Sequence, residues 1–106
     1  MAKFLVKGNY TAEGLKGLQK DKASGRRAAV ATACEALGGK LDALYVSLGD
    51  HDVVAIVDLP NTQAVVSLSV AASSSGLVRT KTTALLTVEE ADQALAKSVS
   101  YRAPGR

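Results

Sequence analysis

Apolar residues in this chain come in short blocks separated by polar or glycine-containing stretches, and the spacing inside each block identifies an element. Lys3 to Gly8 carries Phe4, Leu5 and Val6 in succession, the pattern of a strand in the middle of a sheet. Thr11 then offers a helix N-cap with Glu13 in the first turn. Leu15 and Leu18 share a helical face, but Gly14 and Gly17 weaken this piece, which predicts a short or distorted helix. The polar stretch Lys20 to Gly25 predicts a break. From Arg26 to Leu37 the helical spacing is regular, with Val30, Cys34 and Leu37 on one face and Gly38-Gly39 as the stop. Two strands follow, Lys40 to Leu48 and Val53 to Leu59, joined by the turn Gly49-Asp50-His51-Asp52. Pro60 ends the third strand, and Asn61 or Thr62 caps a helix with Val65, Leu68 and Ala72 on its buried stripe, unwound by Ser73 to Gly76. Leu77 to Leu86 reads as a fourth strand. Thr87-Val88-Glu89-Glu90 has the form of a capping box, opening a last helix with Val88, Ala91, Leu95 and Val99 at helical spacing.

The order is β-α-β-β-α-β with an added terminal helix. It predicts an α+β, ferredoxin-like fold, with both crossover helices on one side of an antiparallel four-stranded sheet. That side would be dry, and the other should turn polar in a monomer. It does not. The second strand is read with Leu41, Ala43 and Tyr45 on one face and Leu44, Val46 and Leu48 on the other, so neither face is polar. Either the terminal helix crosses the open side, or a second copy of the chain packs against it.

Composition narrows the functional classes. At 106 residues the chain suits one domain. Hydrophobic residues make up 47% and charged ones 22%, a globular balance. Aromatic residues are only 4%, without Trp, so the core is aliphatic and stacking platforms are scarce. The third strand has no aromatic residue, which argues against nucleic-acid recognition by an open sheet. No apolar run is long enough to cross a bilayer, and Met1 to Tyr10 lacks the apolar stretch of a signal peptide; the expectation is a cytoplasmic protein without membrane contact. Cys34, the one cysteine, reads as a small buried hydrophobe. Net charge is +3 but uneven: residues 1–40 hold eight Lys/Arg against three acids, so this half either presents a solvated basic face or draws an anion.

Four segments resemble the GYD domain family of bacterial proteins: Gly8 to Leu18, Leu37 to Leu41 with Tyr45, Gly49 to Val54, and Gly76 to Thr82. The namesake glycine, tyrosine and aspartate would correspond to Gly49, His51 and Asp52, with histidine at the tyrosine position. The resemblance spans nearly the whole of residues 3–87, implies a ferredoxin-like fold of the dimeric α/β-barrel kind and brings no reaction with it; the pattern along the chain places one domain over residues 1–100, followed by a tail at 101–106 that should fray.

His51, the one histidine, lies in the predicted turn between Asp50 and Asp52. Imidazole exchanges a proton near neutrality and a carboxylate can hold its tautomer, so His51 and Asp52 are the candidate catalytic pair; the other reading is that Asp52 caps the turn. Tyr10, Tyr45, Arg79 and Lys81 are the candidate ligand contacts, the two cations forming a rim with Lys7, Thr80 and Thr82 if the first and fourth strands pair. One Cys and one His cannot make a structural zinc site within one chain, so no metal is expected; haem would need His51 as its axial ligand. Two functions follow: a homo-oligomeric module, a dimer above all, binding a small molecule at the sheet or subunit interface, or a small barrel-type enzyme using His51 and Asp52 for proton transfer or for cofactor-independent or haem-dependent oxidation.

Overall fold

A computed structural model describes residues 1–106. The elements are β1 (Ala2–Tyr10), α1 (Ala12–Ala36), β2 (Lys40–Val46), β3 (Val53–Leu59), α2 (Thr62–Ser73), β4 (Val78–Leu85) and α3 (Val88–Leu95). The four strands form one antiparallel sheet in the order β2-β3-β1-β4, an α+β, ferredoxin-like arrangement. The apolar β1 and β3 take the two central places, where a strand is flanked on both sides.

Both crossover helices lie over one face. That face buries Phe4 of β1, Ala55, Val57 and Leu59 of β3, Ala64 and Val65 of α2, and Cys34 of α1. Val57, Leu59 and Cys34 are sealed completely at 0% exposure, and a side chain of Leu size contributes about 1.5–3 kcal/mol when so buried. Cys34 is therefore the packing residue that its helical setting implies. Burial pushes its thiol pKa up, with Glu35 adding to the shift, so it is held in the unreactive thiol form.

The break expected between Lys20 and Gly25 is a kink at Lys22, whose φ of 65° and ψ of 168° leave the helical region altogether. The kink redirects the second segment so that Val30 and Cys34 meet the sheet. Gly14, which sequence alone marks as a weak point, has a packing role instead. It is buried, and a Cβ there would collide with the Leu77 carbonyl oxygen. The first turn of α1 is docked on that residue, whose carbonyl accepts the Thr11 amide at 2.9 Å.

The second strand differs from its expected reading. It ends at Val46, leaving Leu48 99% exposed in the loop. A register shift between Leu41 and Ala43 also breaks the alternation. Leu41 and Leu44 pair with Val57 and Ala55 on the covered face, while Ala43 and Tyr45 pair with Ile56 and Val54 on the open one. An extra residue in one strand of a pair shifts the side-chain pattern by one position; here Asp42 is the residue between.

The open face carries a central apolar strip, Leu5, Ala43, Val54 and Ile56, half-buried within the single chain, with Tyr45 67% exposed at its edge. At one end Lys3 donates to Asp42 at 2.6 Å and lies 3.4 Å from Asp58. These partners, the Asp42 hydrogen bond first, hold the Lys3 ammonium above its ordinary value. At the other end Lys7 stands directly opposite Lys81, and Arg79 opposite Asn9.

The terminal helix does not cover this strip. Its capping box forms as expected, the Thr87 amide donating to Glu90 Oε1 at 2.9 Å and the Glu90 amide to Thr87 Oγ1 at 3.1 Å. Within α3, however, only Ala91 is even half-buried, and Val88, Leu95 and, beyond the helix, Val99 are 74–81% exposed. No helix is long and apolar enough to cross a membrane.

Candidate functional site

Two recesses in the fold contain the candidate residues, one polar and one apolar. The polar recess forms where the β2–β3 connection meets the ends of β1 and β4, and it measures about 520 Å³. The connection is closed by its own backbone: the Ser47 amide donates to the Asp52 carbonyl at 2.9 Å, and Ser47 Oγ to the His51 carbonyl at 2.6 Å. Gly49 turns the chain with a φ of +105°, a conformation that costs other residues strain.

His51 and Asp52, adjacent in sequence, go to different partners. Asp52 Oδ2 accepts the Tyr10 amide at 2.9 Å, and the Asp52 amide donates to the Gly8 carbonyl at 2.9 Å, so this residue ties the connection to β1. The ring partner of His51 is Asn9, with Nδ1 to Oδ1 at 2.8 Å. Asn9 Nδ2 donates to the Asp50 carbonyl at 2.8 Å, which sets the amide so that its oxygen faces the ring. Nδ1 is then the donor, and a neutral His51 keeps Nε2 as its acceptor. Asn9 was not among the residues singled out from sequence; its position at the end of a strand beside a turn became informative only once β1 and the connection were adjacent.

Arg79 and Lys81 line the same recess as His51. The expected rim of Lys7, Arg79, Lys81, Thr80 and Thr82 divides. The cations lie on the open face, whereas Thr82 pairs with Val6 on the covered face and its Oγ1 sits 3.3 Å from Ser69 Oγ on α2. Strand alternation separates neighbours in sequence onto opposite sides.

Tyr10 and Tyr45 are not brought together. Tyr45 is on the edge strand β2, and Tyr10 points to the second recess, a cleft between the covered face of the sheet and the two crossover helices. Its inner part, about 80 Å³, is lined mainly by aliphatic side chains including Val6, Val30, Leu44, Val53 and Leu68. An outer part of about 260 Å³ lies between the first half of α1 and the end of α2, bounded by Gly17, Leu18, Asp21 and Leu77. Tyr10, Arg26, Ala72 and Val78 line both parts, so these residues stand where the two join. Arg26 is the charged group shared by both; its position at the start of the second helical segment reads from sequence as ordinary surface charge.

The family model of the GYD domain matches residues 4–95. The chain belongs to the GYD domain family. The match runs from Phe4 in β1 to Leu95, the last residue of α3, so the projecting helix is part of the GYD span, as are both recesses. The connection carrying Gly49, His51 and Asp52 is the segment closing the polar recess. No curated protein and no solved structure matches the chain.

Proposed function

We propose that this GYD domain is a homodimeric binding module of the α/β-barrel type that holds a small molecule in the cleft between its sheet and crossover helices. The observation carrying the binding reading is the cleft itself. Aliphatic side chains from all four strands and two helices line an unfilled space, although interiors normally close to crystal-like density; a concave, mostly apolar site with few polar groups is the usual form of a ligand pocket. Tyr10 is the sequence-derived contact within it.

The dimer reading rests on the open face. Leu5, Val54, Ile56 and Tyr45 form an apolar strip with charged groups at both ends, and α3 leaves it uncovered. A second copy laid sheet against sheet would dry it. Native mass spectrometry of freshly purified protein tests both halves together. The expected result is a dimer mass, with a retained small molecule or added mass on incubation with a short aliphatic compound. A bare monomer at micromolar concentration would overturn the dimer.

A second reading, proton transfer by His51, is favoured by its hydrogen bond to Asn9 in a recess shared with Arg79 and Lys81. In that reading Asp52 positions the loop, and the two cations attract an anionic substrate. His51→Ala would abolish turnover while leaving ligand-induced stabilisation at the cleft unchanged; a variant that keeps full activity removes His51 from the chemistry.

A further inference from the structure

Arg26, which lines the cleft, carries an unpaired hydrogen-bond donor. Its Nε is sealed from solvent and has no hydrogen-bond partner in the protein, although guanidinium N–H groups withdrawn from water are normally matched. The side chain as a whole is 34% exposed, and its one ionic neighbour is Asp21, 3.8 Å from a terminal nitrogen. That separation is beyond hydrogen-bonding range, so the fork of the guanidinium is not engaged by the protein. Arg26, like Tyr10, lines both the aliphatic inner part of the cleft and its outer part.

We infer that the cleft takes a small monocarboxylate with a short apolar body, its tail in the inner cavity and its carboxylate on Arg26. This rests on the reading of the cleft as a ligand pocket and adds the ligand's chemical class. A planar carboxylate is the group that accepts two parallel N–H bonds from one guanidinium. The inner part of the cleft suits a short tail: its space of about 80 Å³ is lined mainly by aliphatic side chains, which favours an apolar chain of a few carbons. Charge supports the same choice, since residues 1–40 carry eight cations against three acids and would raise the local concentration of an anion. Asp21 opposes it: this carboxylate competes for Arg26, so removing its charge strengthens binding.

The test compares pentanoate with pentan-1-ol, which share the tail and differ in the head group, by two-dimensional ¹H–¹⁵N NMR titration of the full chain. Pentanoate should bind at least tenfold more tightly than the alcohol, shift the Arg26 Nε–H resonance, and shift amides of Val30, Leu68 and Ala72. Arg26→Met should erase the preference for the acid and retain alcohol binding; Arg26→Lys, which keeps the charge without the fork, should retain part of it. Asp21→Asn should tighten pentanoate binding severalfold and leave the alcohol unchanged, a readout that does not depend on how well an Arg26 variant folds. If both compounds shift the cleft amides with equal affinity and Asp21→Asn has no effect, the carboxylate assignment is overturned while the cleft stands as an apolar pocket. If neither compound shifts those amides, the pocket reading falls and the assignment with it.

Discussion

The two faces of the sheet are built from alternate residues of the same strands, yet one is completed by the chain and the other is not. Beneath the crossover helices, Phe4, Val57, Leu59, Val65 and Cys34 interlock and are buried. On the opposite side Leu5, Val54 and Ile56, each next in sequence to a covered-face residue, remain half-exposed. The difference lies in supply rather than residue type. Two helices suffice for one layer, and α3, the element that could have formed a third, projects with its apolar residues in solvent. A sheet with apolar residues on both faces and helices on one is therefore an incomplete body, which is the physical ground for placing a second copy against it.

Paired truncations give the largest test of this contrast. Leu59→Ala empties a fully sealed position and should cost about 2–5 kcal/mol, measured as a fall in urea midpoint that does not vary with protein concentration. Ile56→Ala, on the open face, should cost about 1 kcal/mol in a dilute sample, where its side chain is already partly wetted. At higher concentration the loss should grow, because the proposed dimer would stabilise the native state by mass action. Equal, concentration-independent losses at both sites would remove the distinction between the faces.

A smaller effect probes how the covering layer is shaped. Lys22 holds a backbone conformation, φ 65° with ψ 168°, that suits glycine almost exclusively and costs other residues ~1–3 kcal/mol. Lys22→Gly should raise stability by about 1 kcal/mol after the extra chain entropy of glycine is subtracted, seen as a higher urea midpoint. A lower midpoint would show that the bend in α1 is unstrained.

The smallest effect belongs to the projecting helix. Thr87→Ala removes the cap and should destabilise α3 locally by ~1 kcal/mol, lowering helical carbon chemical shifts over 88–95 without moving the global midpoint. The hydrogen bonds from Thr87 hold the Glu90 carboxyl below its ordinary value of 4.5. A depressed carboxyl stabilises the folded helix in full above its unfolded value and loses that contribution as pH falls through the lower folded value. The helical shifts of α3 should thus decline only below pH 4.5, and Glu90→Gln should remove that acid step.

Much of the fold is legible in the residues because its signals are local. The Thr87 capping box, the Asn61 cap, whose Oδ1 accepts the Ala64 amide at 2.9 Å, and the break before Arg26 each depend on a few consecutive residues and form as the pattern implies. The second strand is the instructive miss. A two-residue period read through Asp42 places Leu41 with Ala43, but the register shift puts Leu41 with Leu44 under the helices, and a bulge depends on the partner strand rather than on the residues themselves. The candidate site was only partly legible. His51, Arg79 and Lys81 do converge on one recess, whereas Asp52 turns to the Tyr10 amide and the histidine finds Asn9, 42 positions away. Arg26, the charge at the neck of the apolar cleft, has no sequence signal beyond being one of thirteen basic residues.

By itself, then, the order of apolar blocks, caps and turns determined which elements exist, that the sheet is antiparallel and ferredoxin-like, and that it is apolar on both sides, since these follow from periodicity and backbone preference within each segment. Tertiary structure alone decided where α3 goes, which partner each loop side chain meets and that a cleft survives between sheet and helices. Those outcomes arise from the packing of segments distant in the chain, and no local preference encodes the space left between them.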